Sequence, residues 1–219
     1  MSIGSALESV IRSAMWGSTL RPARMVGVDA WWSVTVHAGE LARRRGEKLD
    51  CLRRLDVVDV LLNLPVAVPV SLDSLSARER RTLARLPHRV VSRCGSSVVR
   101  RAVPPVRIEH VVVPARAFRR GLEDASAFST YCPRSTALAA SVKLDEFELA
   151  EANYYGVGIY QYQGEALVKL LAPEPMPMWG ETPASWVFSE TLYERLPGVR
   201  VPAGRAQAEK ESEQRCGRG

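Results

Sequence analysis

Val26 to Ala38 alternates with a period of two. Val26, Val28, Ala30, Trp32, Val34, Val36 and Ala38 share one parity and are all apolar; Gly27, Asp29, Trp31, Ser33, Thr35 and His37 share the other. Successive strand side chains point to opposite faces, so the pattern predicts one extended strand with a core face and a mixed face. The mixed face carries a carboxylate, hydroxyls, a tryptophan and a histidine, which is more chemistry than a plain sheet needs.

The flanking segments extend the pattern. Ser5-Ala-Leu-Glu8 is a capping box, and Leu7, Val10, Ile11, Ala14 and Met15 repeat at helical spacing, predicting a helix over 6–17 that Pro22 separates from the strand. Gly39 to Leu55 reads as an arginine-rich helix. Val57 to Leu64 is nearly continuously apolar, as expected of a parallel strand covered on both faces, and Pro65 ends it. Ser76-Ala-Arg-Glu79 opens a basic helix to about Leu86. Strands are expected over 89–93, 97–103 and 106–113, with a turn at Cys94-Gly-Ser. Residues 115–122 and 136–152 are expected to be helical, the second stretch broken near Lys143 and stopped by Gly156. Val157–Tyr162 and Ala166–Leu171 form a hairpin, and a last helix covers about 184–196. The order predicts an α/β fold: a mixed, mostly parallel central sheet flanked by helices, a three-layer core with a late β-hairpin. One globular domain is expected over 1–196, with a disordered charged tail over 197–219.

A chain of 219 residues, 46% hydrophobic and 25% charged, is long enough to bury a sizeable core. It has no apolar run of the roughly 18–20 residues that span a bilayer and no secretory leader pattern, so no membrane association and a cytoplasmic location are expected. The four cysteines, Cys51, Cys94, Cys132 and Cys216, are too widely spaced for a zinc ribbon and read as reduced thiols. Their pairing would be expected only in a hyperthermophile.

Charge is distributed unevenly. Residues 41–120 hold 18 Lys and Arg against 7 Asp and Glu, while residues 121–219 hold 9 against 14. A concentrated basic block is the electrostatic footprint of a polyanion partner, here DNA or RNA. Arg43, Arg44, Arg45, Arg53, Arg54, Arg78 and Arg81 are its candidate contacts. A solvated face, or pairing with the acidic third, explains the same block equally well. For chemistry, Asp29 in the first strand and Asp59 near the start of the next are the candidate catalytic and metal-ligating pair. On neighbouring parallel strands, two carboxylates would hold Mg²⁺ and activate water for phosphoryl displacement. The alternative is that Asp59 solvates an element end while Asp29 bonds a neighbouring backbone group or arginine. His37, His88 and His110 read as structural, and Tyr154, Tyr155, Tyr160 and Tyr162 as half-buried sheet tyrosines or base-stacking groups. Met176–Trp179 is an apolar segment suited to a protein partner or to lying along the core.

Met25-Val-Gly-Val-Asp29, followed by Trp32 to Leu41, a helix, and Asp56-Val-Val-Asp59-Val-Leu-Leu-Asn-Leu-Pro65, resembles the opening of RNase H-like proteins. It is similar to a branch whose second strand ends in D-x-P-x-G-L-P. Asp59, Leu64 and Pro65 fit that pattern, with Leu61 and Asn63 in place of the first proline and the glycine. Val111 to Arg119 resembles the branch's E-x-H-P-E-x-x-F-R segment, with Val111, Val113 and Ala115 where acids and a histidine belong. The C-terminal acidic helix of such folds would be Leu144-Asp145-Glu146-Phe-Glu148. The resemblance implies a nuclease-type core, Mg²⁺ as cofactor if the chain is catalytic, and, from the missing acids, a relative that kept the fold and lost the enzyme. Asp29 with Val34 to Ala38 is also similar to restriction-endonuclease-like cores, with Thr35 and His37 at the positions of the E-x-K pair, again a degenerate version.

Three functions follow. The first is a nucleic-acid-binding or nucleic-acid-processing protein, as a metal-dependent nuclease or its inactive descendant. The second is a non-enzymatic binding or scaffold subunit of a protein or nucleoprotein complex. The third, for which no pocket motif speaks, is an enzyme acting on a small anionic metabolite.

Overall fold

A computed structural model describes residues 20–163, 166–176, 181–196 and 198–199. The helix expected at 6–17, the hairpin turn at Gly164, most of Met176–Trp179, Cys216 and almost all of the tail lie outside these residues. The α/β class is as expected, with a mixed six-stranded sheet in the order Arg21–Met25, Val28–Val36, Val106–Ala115, Arg134–Ala139, Val157–Gln163, Ala166–Leu171 and a three-stranded sheet in the order Pro69–Ser71, Ser97–Arg100, Val91–Cys94. Contacts divide the described residues into two compact units. Unit 1 draws on the described residues among 1–35, 107–180 and 195–197, and unit 2 on those among 36–106, 181–194 and 198–219.

Unit 1 is built on the larger sheet. The thirteen-residue strand expected over 26–38 is instead a hairpin of β1 (Arg21–Met25) and β2 (Val28–Val36), with Met25 paired to Val28. Val26 and Gly27 form its two-residue turn, both with positive φ, 51° and 80°. That backbone suits the right-handed twist of a hairpin, and the glycine permits it. Pro22 is tolerated because β1 is an edge strand. Parity survives in part: Val28, Ala30 and Trp32 are buried, but so are Trp31 and Ser33. Both faces are therefore covered at this point. Trp32 packs edge-on against Phe128, and Trp31 joins Leu20, Val112 and Ala137 in a separate cluster.

The centre of the sheet is parallel. β6 (Val106–Ala115), β7 (Arg134–Ala139) and β8 (Val157–Gln163) run together, and β9 (Ala166–Leu171) returns antiparallel to β8. In the further course of the chain, α4 (Phe118–Ser126) packs on β7 and α5 (Glu146–Tyr154) on β8. The helix expected over 136–152 is correct only for its second half; Ser135 to Leu138 are a fully buried central strand. Small residues serve there because α4 lies close: a Cβ added at Gly121 would come within 2.9 Å of the Ala115 Cβ.

Unit 2 contains α1 (Ala38–Glu47), α2 (Leu55–Leu62), α3 (Ala77–Ala84) and α6 (Pro183–Arg195), with the small sheet of β3 (Pro69–Ser71), β4 (Val91–Cys94) and β5 (Ser97–Arg100). The helix expected over 39–55 stops at Glu47, where Lys48 takes a left-handed capping conformation (φ 53°). The strand expected over 57–64 is the helix α2. Val57, Val58, Val60, Leu61 and Leu64 enter the core beside Leu83, Val98 and Trp186, while Asp56, Asp59 and Asn63 are exposed. α3 opens with the expected capping box between Ser76 and Glu79.

Candidate nucleic-acid interface

The arginines of unit 2 fall into two populations. Arg44 and Arg100 are buried, and their charges are spent internally. Arg44 donates from Nη1 and Nη2 to both oxygens of Glu190, at 2.7 and 2.6 Å, and from Nε to Glu40 at 2.7 Å. The indole Nε1 of Trp186 donates to the same Glu190 carboxylate at 2.9 Å. Burial alone would lower the pKa of Arg44, but Glu190 and then Glu40 outweigh it and hold the guanidinium above its ordinary value. Arg100 lies over the Trp186 ring, 4.5 Å from its centroid, and donates to the carbonyls of Ala102, Leu61 and Leu64. Burial pushes its pKa down.

Arg43 is bonded to Glu40 and Glu47 on its own helix. Arg53 pairs with Glu194, and Arg54 with Asp56. Of the seven arginines expected to contact nucleic acid, Arg43 and Arg44 are therefore committed to the protein itself. Arg45, Arg78 and Arg81 are exposed and have no carboxylate partner among the described residues. Lys48, Arg80, Arg85, Arg89 and Arg93 share that state and were not singled out in the sequence. For Arg85 the signal was present: Arg78, Arg81 and Arg85 stand at i, i+3 and i+7, one face of α3 and its C-cap.

The two candidate carboxylates stand on a strand and a helix, not on two strands. Asp29 sits on the edge hairpin of unit 1, where Arg24 Nη1 donates to it at 3.2 Å with both side chains largely exposed. Asp59 belongs to unit 2 and projects from the exposed face of α2, not from a strand next to β2. Among the described residues, no group of three or more His, Cys, Asp or Glu side chains is gathered to hold a metal ion. The donor set thus does not fit the Mg²⁺ that the nuclease resemblance implies.

The other singled-out groups divide between packed and exposed positions. His37 accepts the Glu40 N–H as the N-cap of α1, and His88 is exposed. His110 is buried against the Ser135 hydroxyl, Nε2 to Oγ 2.9 Å, and burial pushes its pKa down to about 4. Burial pushes the Cys132 thiol up to about 12, which removes it as a neutral-pH nucleophile. Tyr160 and Tyr162 pack beside Trp31, whereas Tyr154 and Tyr155 stack edge to face on the surface. No helix of the described residues is long and apolar enough to cross a membrane. Comparison with known protein families, with curated proteins and with solved structures gave no match.

Proposed function

We propose that this protein binds nucleic acid through the cationic surface of unit 2. One observation carries the reading: Arg45, Lys48, Arg78, Arg80, Arg81, Arg85, Arg89 and Arg93 are all exposed and none has a carboxylate partner among the described residues. The acids of the same unit are largely used up, since Glu40 and Glu47 serve α1, Asp56 serves Arg54 and Glu79 caps α3. What faces solvent is an excess of guanidinium, whose fork of donors suits phosphate oxygens. Contacts to phosphate fix position without reading sequence, so DNA and RNA both qualify as partners. Asp29 and Asp59 have no part in this proposal, and binding without cleavage fits the surface.

The test is fluorescence anisotropy with a short labelled duplex and a single strand across a salt series. Phosphate neutralisation makes the logarithm of affinity fall linearly with the logarithm of salt, by close to one unit of slope per contact. A steep negative slope is expected. An affinity that is flat in salt, or no binding at low salt, overturns the reading.

A further inference from the structure

Between the segment leading into α2 and the end of α3, unit 2 holds a cavity of about 230 Å³. Arg53, Arg54, Thr82 and Arg85 line it, with Asp56 as its one carboxylate. From this lining we propose that the cavity takes a terminal phosphate group, that is, the phosphomonoester end of a nucleic-acid strand.

With Arg53 paired to Glu194 and Arg54 to Asp56, the charge of Arg85 is left over in the lining, so the cavity carries a net positive charge. Arg53 and Arg54 already hold anionic partners, Glu194 and Asp56. Asp56 is kept below the usual carboxylate range first by the Arg54 hydrogen bond. The Arg54–Asp56 pair forms part of the wall on the side of the segment leading into α2. Opposite it, the Arg85 guanidinium and the Thr82 hydroxyl have no partner among the described residues. They supply the donors that an incoming phosphate needs, and a doubly charged phosphomonoester gains more from them than a singly charged internal phosphodiester.

Size narrows the ligand further. Pockets that enclose whole organic ligands run to roughly 300–1,000 Å³, so this cavity accepts the phosphate and leaves most of an attached molecule outside. The direction in which that remainder leaves is set by α3. Thr82 and Arg85 lie on the same helical face as Arg78 and Arg81, whose charges are exposed. A strand whose end is seated on Arg85 would run its next phosphates past Arg81 and Arg78. The inference rests on the nucleic-acid reading above and specifies where a strand terminates.

The experiment compares one twelve-nucleotide single strand, internally labelled, bearing a phosphate at the 5′ end, at the 3′ end, or at neither, using the full chain. Arg85→Ala and Thr82→Val are the variants; both sites lie outside the core, and thermal melting checks each fold. An end-phosphorylated strand is expected to bind about tenfold more tightly than the unphosphorylated one, with the preference lost in R85A and reduced in T82V. Equal affinity for all three strands in the unaltered protein overturns the cavity assignment and leaves the surface reading standing. An undiminished preference in both variants also overturns it. If no strand binds but inorganic phosphate shifts the Thr82 amide resonance, the nucleic-acid source is overturned and the phosphate site is supported as one for a small phosphorylated molecule. If neither strand nor inorganic phosphate binds, both readings fall.

Discussion

Arg44 and Glu190 lie 146 positions apart in the chain and meet through two hydrogen bonds inside unit 2, each partner at most 4% exposed. Removing one member of such a pair strands a buried charge, which costs about 3–5 kcal/mol. Arg44→Met and Glu190→Leu should each lower stability by that order. The double variant should lose less than the sum of the two, because neither charge is then left alone. Urea denaturation of all four proteins measures this; strict additivity would show that the two side chains act independently.

Val26 occupies a left-handed backbone conformation with its side chain 63% exposed. A β-branched residue pays for that conformation and gains no contact in return. Val26→Asn converts the turn to Asn-Gly, the preferred pair for this geometry. It should stabilise the protein by about 1 kcal/mol, or roughly 2–4 °C in melting temperature. A lower melting temperature would refute the turn assignment.

His110 gives stability a pH dependence of definite sign. Its pKa lies at about 4 in the folded protein, against 6.5 for the free side chain. Between those values the unfolded chain takes up a proton that the folded protein refuses. The contribution is therefore complete above pH 6.5 and is lost as pH falls towards 4, on the order of 3 kcal/mol in all. His110→Gln should flatten the decline between pH 7 and pH 5.5, above the range where most carboxylates titrate. Unfolding free energies at those two pH values decide it, and an equal decline in both proteins counts against the buried neutral imidazole.

The exposed arginines and the two aspartates should respond differently. Arg78→Gln and Arg81→Gln should each weaken nucleic-acid binding for every sequence and reduce the salt slope by about one. Asp29→Asn and Asp59→Asn should leave the slope unchanged. Binding isotherms at four salt concentrations make the comparison, and a collapse of binding in the aspartate variants would restore the carboxylates to the site.

Local signals with a single physical meaning were legible from the residues. Ser76 and Glu79 cap α3 reciprocally as expected, and β8 and β9 pair antiparallel where alternation put the two strands of the late hairpin. Apolar runs misled because burial from both sides erases periodicity. In α2, six valines and leucines read as a strand, although the polar positions Asp56, Asp59 and Asn63 mark the helical spacing i, i+3, i+7. In β7, Thr136 lies against Gly121 of α4 on one face while Ser135 and Ala137 lie beside His110 and Trp31 on the other, so both faces are buried, a tertiary demand that no local propensity reports. The candidate metal site depended on placing Asp59 on a strand, so it went with α2. Exposure of Arg45, Arg78 and Arg81 needed no register to be read, whereas the burial of Arg44 depended on Glu190, far away in the chain.

Unit 2 is interrupted. Its first stretch ends at Val106 and its second begins at Glu181, with Arg107–Gly180 belonging to the other unit. Glu190 and Trp186, which neutralise Arg44 and cover Arg100, arrive only with the second stretch. During synthesis the first stretch therefore holds Arg44 against Glu40 alone, and Arg100 against backbone carbonyls alone, until Trp186 and Glu190 have emerged. Closing a gap of that length is slow compared with local pairing. A chain stopped before residue 186 would leave Arg44 with Glu40 as its one carboxylate partner and without the Glu190 pair.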